Sequence, residues 1–227
     1  MKTRLLLGTS PILAVALLMF TTSASAIAEG ETPASLADLS GLAVDPNPAH
    51  PAVPVVESLH ASLIEVMKTA EQLGYGGRSE ALVPILGDAF DLEFMAKKSI
   101  GRSWKKLEAP EQIRWVETFQ RLTCANYAGR FHGHSGQSFE TRDVTAGSHD
   151  TIMVQTTLLN PAGDDVNLNY RLIETKTGWR IIDVYLDGTV SELALRRAEY
   201  SAVLKRDGFQ KLIEGVDRRV AELALAN

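Results

Sequence analysis

The hydrophobic period of this chain changes once, near Gly136, and that change constrains the fold more than any motif. Upstream, Val56, Leu59, Leu63, Val66, Ala70 and Leu73 recur at three- and four-residue steps, which lays an apolar stripe along a helix. Gly74 is expected to stop that helix, and a second piece is expected over residues 79–89 with Pro84 near its first turns. Asp91 stands as an N-cap for LEFMAKKSIG, which Gly101 ends. Pro110 opens a long helix with Glu111 in its first turn and an apolar stripe through Ile113, Val116, Phe119, Leu122, Tyr127 and Phe131.

Downstream the period is two. Strands are expected over 138–146, 151–159, 165–174 and 178–186, joined by the turns AGSHD, NPAGDD and TKTG. In the third strand Val166, Leu168, Tyr170 and Leu172 share one face, and Asn167, Asn169 and Arg171 the other. Links this short imply an antiparallel meander. Two helices close the chain, over 191–205 and 208–225, so the class is α+β with a four-stranded antiparallel sheet.

The first residues bear on compartment. Lys2 and Arg4 precede an apolar run from Leu5 to Phe20, and Ala24-Ser25-Ala26 offers small residues for cleavage. This reads as a secretory signal peptide over 1–26, with Ala28 an alternative cleavage point. Residues 27–53, rich in Pro, Ala, Gly and Ser, read as a disordered tether, and 54–227 as one domain. Without Lys2 and Arg4 the chain carries 21 basic against 28 acidic residues, a net charge of −7, which argues against a nucleic-acid partner. The lone Cys124 excludes an internal disulfide and reads as a buried, inert thiol.

Polar candidates for chemistry are few. Gly133-His134-Ser135 begins like a nucleophile elbow, but Gln137 stands where the closing glycine belongs, and the stretch leaves a helix for a strand, the reverse of the required context. His132 and His134 lack the further ligands that a zinc site needs. Asp183, in the strand GWRIIDVYLDG, admits two readings. Either it pairs structurally with Arg171, Arg102 or Arg196, or with Tyr185 it performs acid–base chemistry inside a cone-shaped sheet.

Two longer stretches carry a resemblance. FDLEFMAKKSIGRSW followed by PEQIRWVETFQRLTCANYA, and WRIIDVYLDGTVSELALRRAEYSAVLKRDGFQKLI, are similar to the Ttg2D/MlaC family of periplasmic lipid-binding (toluene tolerance) proteins. The shared positions include Phe90-Asp91, Gly101-Arg102, Trp104, Phe119, Tyr127-Ala128, Trp179, Asp183, Gly188, Arg196, Tyr200 and Gly208-Phe209. YAGRFHGHSGQSFE further resembles a branch encoded beside hopanoid-biosynthesis genes. The resemblance implies a twisted, NTF2-like antiparallel sheet under helices, enclosing an apolar cavity. It also implies a periplasmic, monomeric carrier of phospholipid or hopanoid, working between a membrane-bound ABC lipid transporter complex and an outer-membrane partner, with no bond broken. No cofactor or metal is expected. The competing expectation is an exported enzyme acting on a small apolar substrate through Asp183.

Such a cavity is expected to be lined by Phe94, Met95, Trp115, Phe119, Leu122, Tyr127, Tyr170, Trp179, Ile181 and Tyr185, with Met95 and Met153 adapting to cargo. Asp183 shares the alternating face of Trp179, Ile181 and Tyr185, so with Arg102 or Arg196 it would bind a polar head if that face lined the cavity. A one-residue shift of register would exchange the whole set.

Overall fold

In the computed structural model, residues 50–226 are described, so the expected leader and most of the expected tether lie outside the described residues. Helix α1 runs Val53–Lys68, with Ala52 and Val53 already buried, and therefore begins one residue before the expected domain boundary. It ends earlier than the periodicity suggests. The Thr69 hydroxyl donates back to the carbonyls of Glu65 and Val66, and α2 (Ala70–Ala89) starts at once. Gly74 does break the helical path, but inside α2: at φ 60° and ψ −177° it kinks the chain, a backbone state that side chains with a Cβ rarely adopt.

The remaining helices form where their caps are written. The Asp91 carboxylate accepts from Phe94 N at 2.9 Å and opens α3 (Leu92–Ile100), which passes into a 3-10 segment over Gly101–Lys106. For α4 (Ala109–Arg130), Glu108 N donates to the Glu111 carboxylate at 3.0 Å. Gly208, at φ 83°, separates α5 (Glu192–Asp207) from α6 (Phe209–Ala226).

Strands β1 (Ser138–Ala146), β2 (Thr151–Leu159), β3 (Val166–Thr175) and β4 (Gly178–Leu186) pair antiparallel in sequence order. A fifth strand, β5 (Val190–Ser191), adds two residues beside β4 where the expected sheet has four strands. The free edge of β4 is also covered by the α2–α3 junction, where Asp91 N donates to Ile181 O at 2.9 Å. Opposite, β1 carries an Arg142–Glu140 ion pair, and charge of this kind blunts an edge.

Two bulges interrupt the ladder, between Thr141 and Asp143 on β1 and at Ile182 on β4. In the second, Leu172 lies opposite Ile181 and Arg171 opposite Asp183, so Ile182 is an extra residue. Alternation therefore changes parity within β4. Ile181 and Val184 share the helix-facing side with Leu172 and Tyr170, whereas Asp183 and Tyr185 join Arg171 and Asn169 on the other.

Two knots fix the helices, one to each other and one to the sheet. Trp115, fully buried, donates its indole N–H to Ala96 O at 2.8 Å and meets Tyr200 edge-on at 5.2 Å, joining α3, α4 and α5. On α1, His60 stacks on Phe139 at 3.8 Å and 9°, with Nε2 3.1 Å from the Tyr170 hydroxyl. Burial lowers the His60 imidazole from 6.5 to about 3, so it sits neutral against Phe139. Below pH 6.5 the unfolded chain takes up a proton that the folded one refuses. The His60 contribution to stability, full above 6.5, therefore drains as pH falls towards 3, by up to about 1.4 kcal/mol per unit. Urea unfolding at pH 7.5 and 5 is expected to show a stability loss about 2 kcal/mol larger in the wild type than in His60→Gln. Equal losses would mean that this ring titrates freely in the fold.

Candidate functional site

A cavity of about 410 Å³ opens between the helix-facing side of the sheet and the C-terminal half of α4. Leu158, Val166, Leu168, Tyr170, Val184 and Leu186 supply its sheet wall. Phe119, Leu122, Tyr127 and Phe131 face them from α4 and its end, and Met67, Phe90 and Met95 contribute from the first three helices. The volume falls within the roughly 300–1,000 Å³ of small-molecule sites. Its polar lining includes Arg130, His132, Gln137, Asn160, Glu192 and Arg196, most of them half-buried or exposed, so the mouth is polar and the interior apolar.

Two phenols mark the interior. Burial raises both hydroxyls above the ordinary tyrosine range, with Tyr127 also feeling the Glu192 carboxylate. The Tyr170 hydroxyl is held by His60, whereas that of Tyr127 has no hydrogen-bond partner among the described residues. At the mouth, Arg130 of α4 pairs with Glu192 of α5 at 3.2 Å. Among the described residues Arg196 makes no ion pair, and its one hydrogen bond is a long one, 3.5 Å, to the Tyr200 hydroxyl.

Of the residues expected from sequence, Met95, Phe119, Leu122, Tyr127, Tyr170 and Arg196 line this cavity. The others stand elsewhere, each for a stated reason. Trp115 is spent on the α3–α4–α5 knot. Phe94 lies half-buried on α3 beneath Lys98, whose Nζ is 5.0 Å from the ring centre. Trp179 packs edge-on against His50, and Ile181 is buried beside Phe90 at the sheet edge. Tyr185 and Asp183 are carried to the opposite side of the sheet by the Ile182 bulge, and Met153, paired with Arg171, lies there too.

Among the described residues Asp183 makes no direct ion pair with the expected arginines, although Arg171 favours its charged form from across the ladder. Arg102 is exposed, Arg196 faces the cavity, and Arg171, although opposite Asp183 in the ladder, donates to Thr151 Oγ and Ser148. Instead the carboxylate, 7 % exposed, organises the start of α5. Oδ1 accepts from Val184 N (2.9 Å) and Leu193 N (3.0 Å), and Oδ2 from Ser191 Oγ (2.6 Å). Ser191 in turn accepts from Ala194 N at 2.9 Å as the N-cap. Burial pushes the Asp183 carboxyl above its usual range, while the Ser191 hydroxyl and the Leu193 and Val184 N–H groups pull it down.

Sequence reasoning missed Leu158, Val184, Leu186, Arg130 and Glu192. It also missed Val166 and Leu168, although the alternation of β3 put them on the face of Tyr170, and nothing in the composition of β4 signals a bulge.

A family model described as MlaC protein matches residues 57–218, spanning α1 to α6. The chain belongs to the MlaC family. The architecture agrees with that of a phospholipid-binding protein from Ralstonia solanacearum, solved in complex with a phospholipid. The match has a TM-score of 0.68 at 21 % identity and covers 77 % of this chain and 99 % of the other. Among curated proteins none matches. Within this MlaC chain, then, the expected α+β class with helices over an antiparallel sheet is the fold found.

Removing the Asp183 carboxylate leaves the Ser191 hydroxyl and the Leu193 N–H without their acceptor. Asp183→Ala is expected to cost about 1–3 kcal/mol in urea unfolding, with faster amide exchange confined first to the opening turn of α5. Unchanged stability and exchange would remove Asp183 from that role.

Proposed function

We propose that this protein is a periplasmic lipid carrier. The observation that carries the reading is an apolar cavity of about 410 Å³ with a polar, arginine-bearing mouth, in a chain of the MlaC family. Such a cavity removes hydrocarbon from water at about 25 cal/mol per Å² of apolar surface. Its mouth keeps the polar end of the cargo near Arg196 and the Arg130–Glu192 pair. The phospholipid in the Ralstonia neighbour supports a cargo of the same chemistry, and the resemblance of YAGRFHGHSGQSFE to a branch encoded beside hopanoid-biosynthesis genes makes a hopanoid the other candidate.

The cargo enters and leaves unchanged. Asp183, the base on which an exported enzyme would rely, is engaged in capping α5 and does not line the cavity. The partners in this reading are a membrane-bound ABC lipid transporter complex and an outer-membrane acceptor, between which the exported protein moves as a monomer. The signal peptide over 1–26 supplies the route to the periplasm.

Native mass spectrometry with solvent extraction, on protein purified from a hopanoid-producing host, is expected to find one phospholipid or hopanoid per chain. Leu168→Trp, which fills the cavity from the sheet side, is expected to lower lipid retention by at least about tenfold while the fold is kept. Protein that is empty as purified and takes up no lipid from vesicles would overturn the reading.

A further inference from the structure

The longest run of basic residues in this acidic chain lies outside the cavity. Between Glu93 and Glu108 stand Lys97, Lys98, Arg102, Lys105 and Lys106 with no carboxylate, in a chain whose net charge is −5. These residues occupy the end of α3 and the 3-10 segment. Lys97 pairs with Glu93, but Lys98, Arg102, Lys105 and Lys106 are exposed and have no ion pair among the described residues.

Aromatic and apolar groups are interleaved with them. The Nζ of Lys97 is 5.6 Å from the Trp104 ring centre and that of Lys98 is 5.0 Å from Phe94, both rings half-buried. Helix α5 continues the surface. Its Arg197 guanidinium lies so close over Gly101 that a Cβ there would stand 2.8 Å from Nε; on the same helix Leu195 is 52 % exposed and Arg196 lines the mouth. The nearest acids on α5 are Glu192, engaged with Arg130, and Glu199.

We propose that this surface of α3, the 3-10 segment and α5 docks the protein peripherally on a bilayer carrying anionic lipid, with the cavity mouth beside the contact. The purpose of the contact rests on the carrier reading; its existence does not. Lysines attract lipid phosphates over about a Debye length, while an indole and exposed leucine suit the headgroup boundary. An acidic protein surface would use the cations but has no need of Trp104, Phe94 and Leu195 or of a position next to an apolar cavity. Among the described residues no helix is long and apolar enough to cross a membrane, so the contact is a surface one.

Vesicle flotation tests this with the processed protein released by an exporting bacterial host. Binding to phosphatidylcholine vesicles containing phosphatidylglycerol is expected, with little to phosphatidylcholine alone, and it should fall as salt rises from about 0.05 to about 0.5 M. Lys105→Gln with Lys106→Gln should weaken binding about 30-fold, whereas Lys68→Gln on α1 should not. Lipid co-purifying with each variant, read by mass spectrometry, should stay at the wild-type level. Binding indifferent to anionic lipid, or undiminished in the double variant, overturns the proposal. Loss of binding to an acidic protein with vesicle binding intact overturns it as well and makes the surface a protein contact. Cavities empty in every form, with charge-dependent docking intact, would instead remove the carrier reading and leave the surface standing.

Discussion

The Asp183 carboxylate is the joint on which the cavity depends. It receives three hydrogen bonds from residues that belong to β4, β5 and the first turn of α5. By joining the end of the sheet to the start of that helix it sets where Glu192, Leu193 and Arg196 stand, and these are the residues that close the mouth. A carboxylate is uncommon in a strand because it competes for backbone donors. Here that competition is the function: the donors are the orphan N–H of a helix start and the hydroxyl of its N-cap.

The interior divides by how its aromatic residues are used. Trp115 packs against Tyr200 and, separately, His60 against Phe139, which fixes the helices at those two points. Phe119, Leu122, Met95 and Leu168 lack such partners on one side and border the cavity instead.

At the mouth the energetics are shallow by construction. The Arg130–Glu192 pair is half-exposed, and pairs of this kind contribute about 0–1 kcal/mol. Arg196 feels Glu192 and Glu199 but makes no ion pair among the described residues. In the proposed carrier a cargo headgroup would exchange with these contacts at little cost, while hydrocarbon buried against Leu168, Val184 and Phe119 would supply most of the affinity. Strong holding of the tail with weak holding of the head suits a protein that must also let go.

Much of this architecture was determined by the sequence alone, because its signals are local. Three strands begin and end where alternation and turn residues say, Asp91 caps the helix it precedes, and the class follows from one change of period. Gly74 announced a break, although the tertiary structure made it a kink within α2 rather than an end. What only the tertiary structure decided is which residues meet. A single extra residue, Ile182, turns Asp183 and Tyr185 away from the cavity and Val184 and Leu186 into it, and an isoleucine in a bulge looks like any other strand isoleucine. Trp115 shows the same limit from the helical side. Its position on α4 allowed either a knot or a cavity wall, and the approach of α3 and α5, which no local pattern encodes, made it a knot.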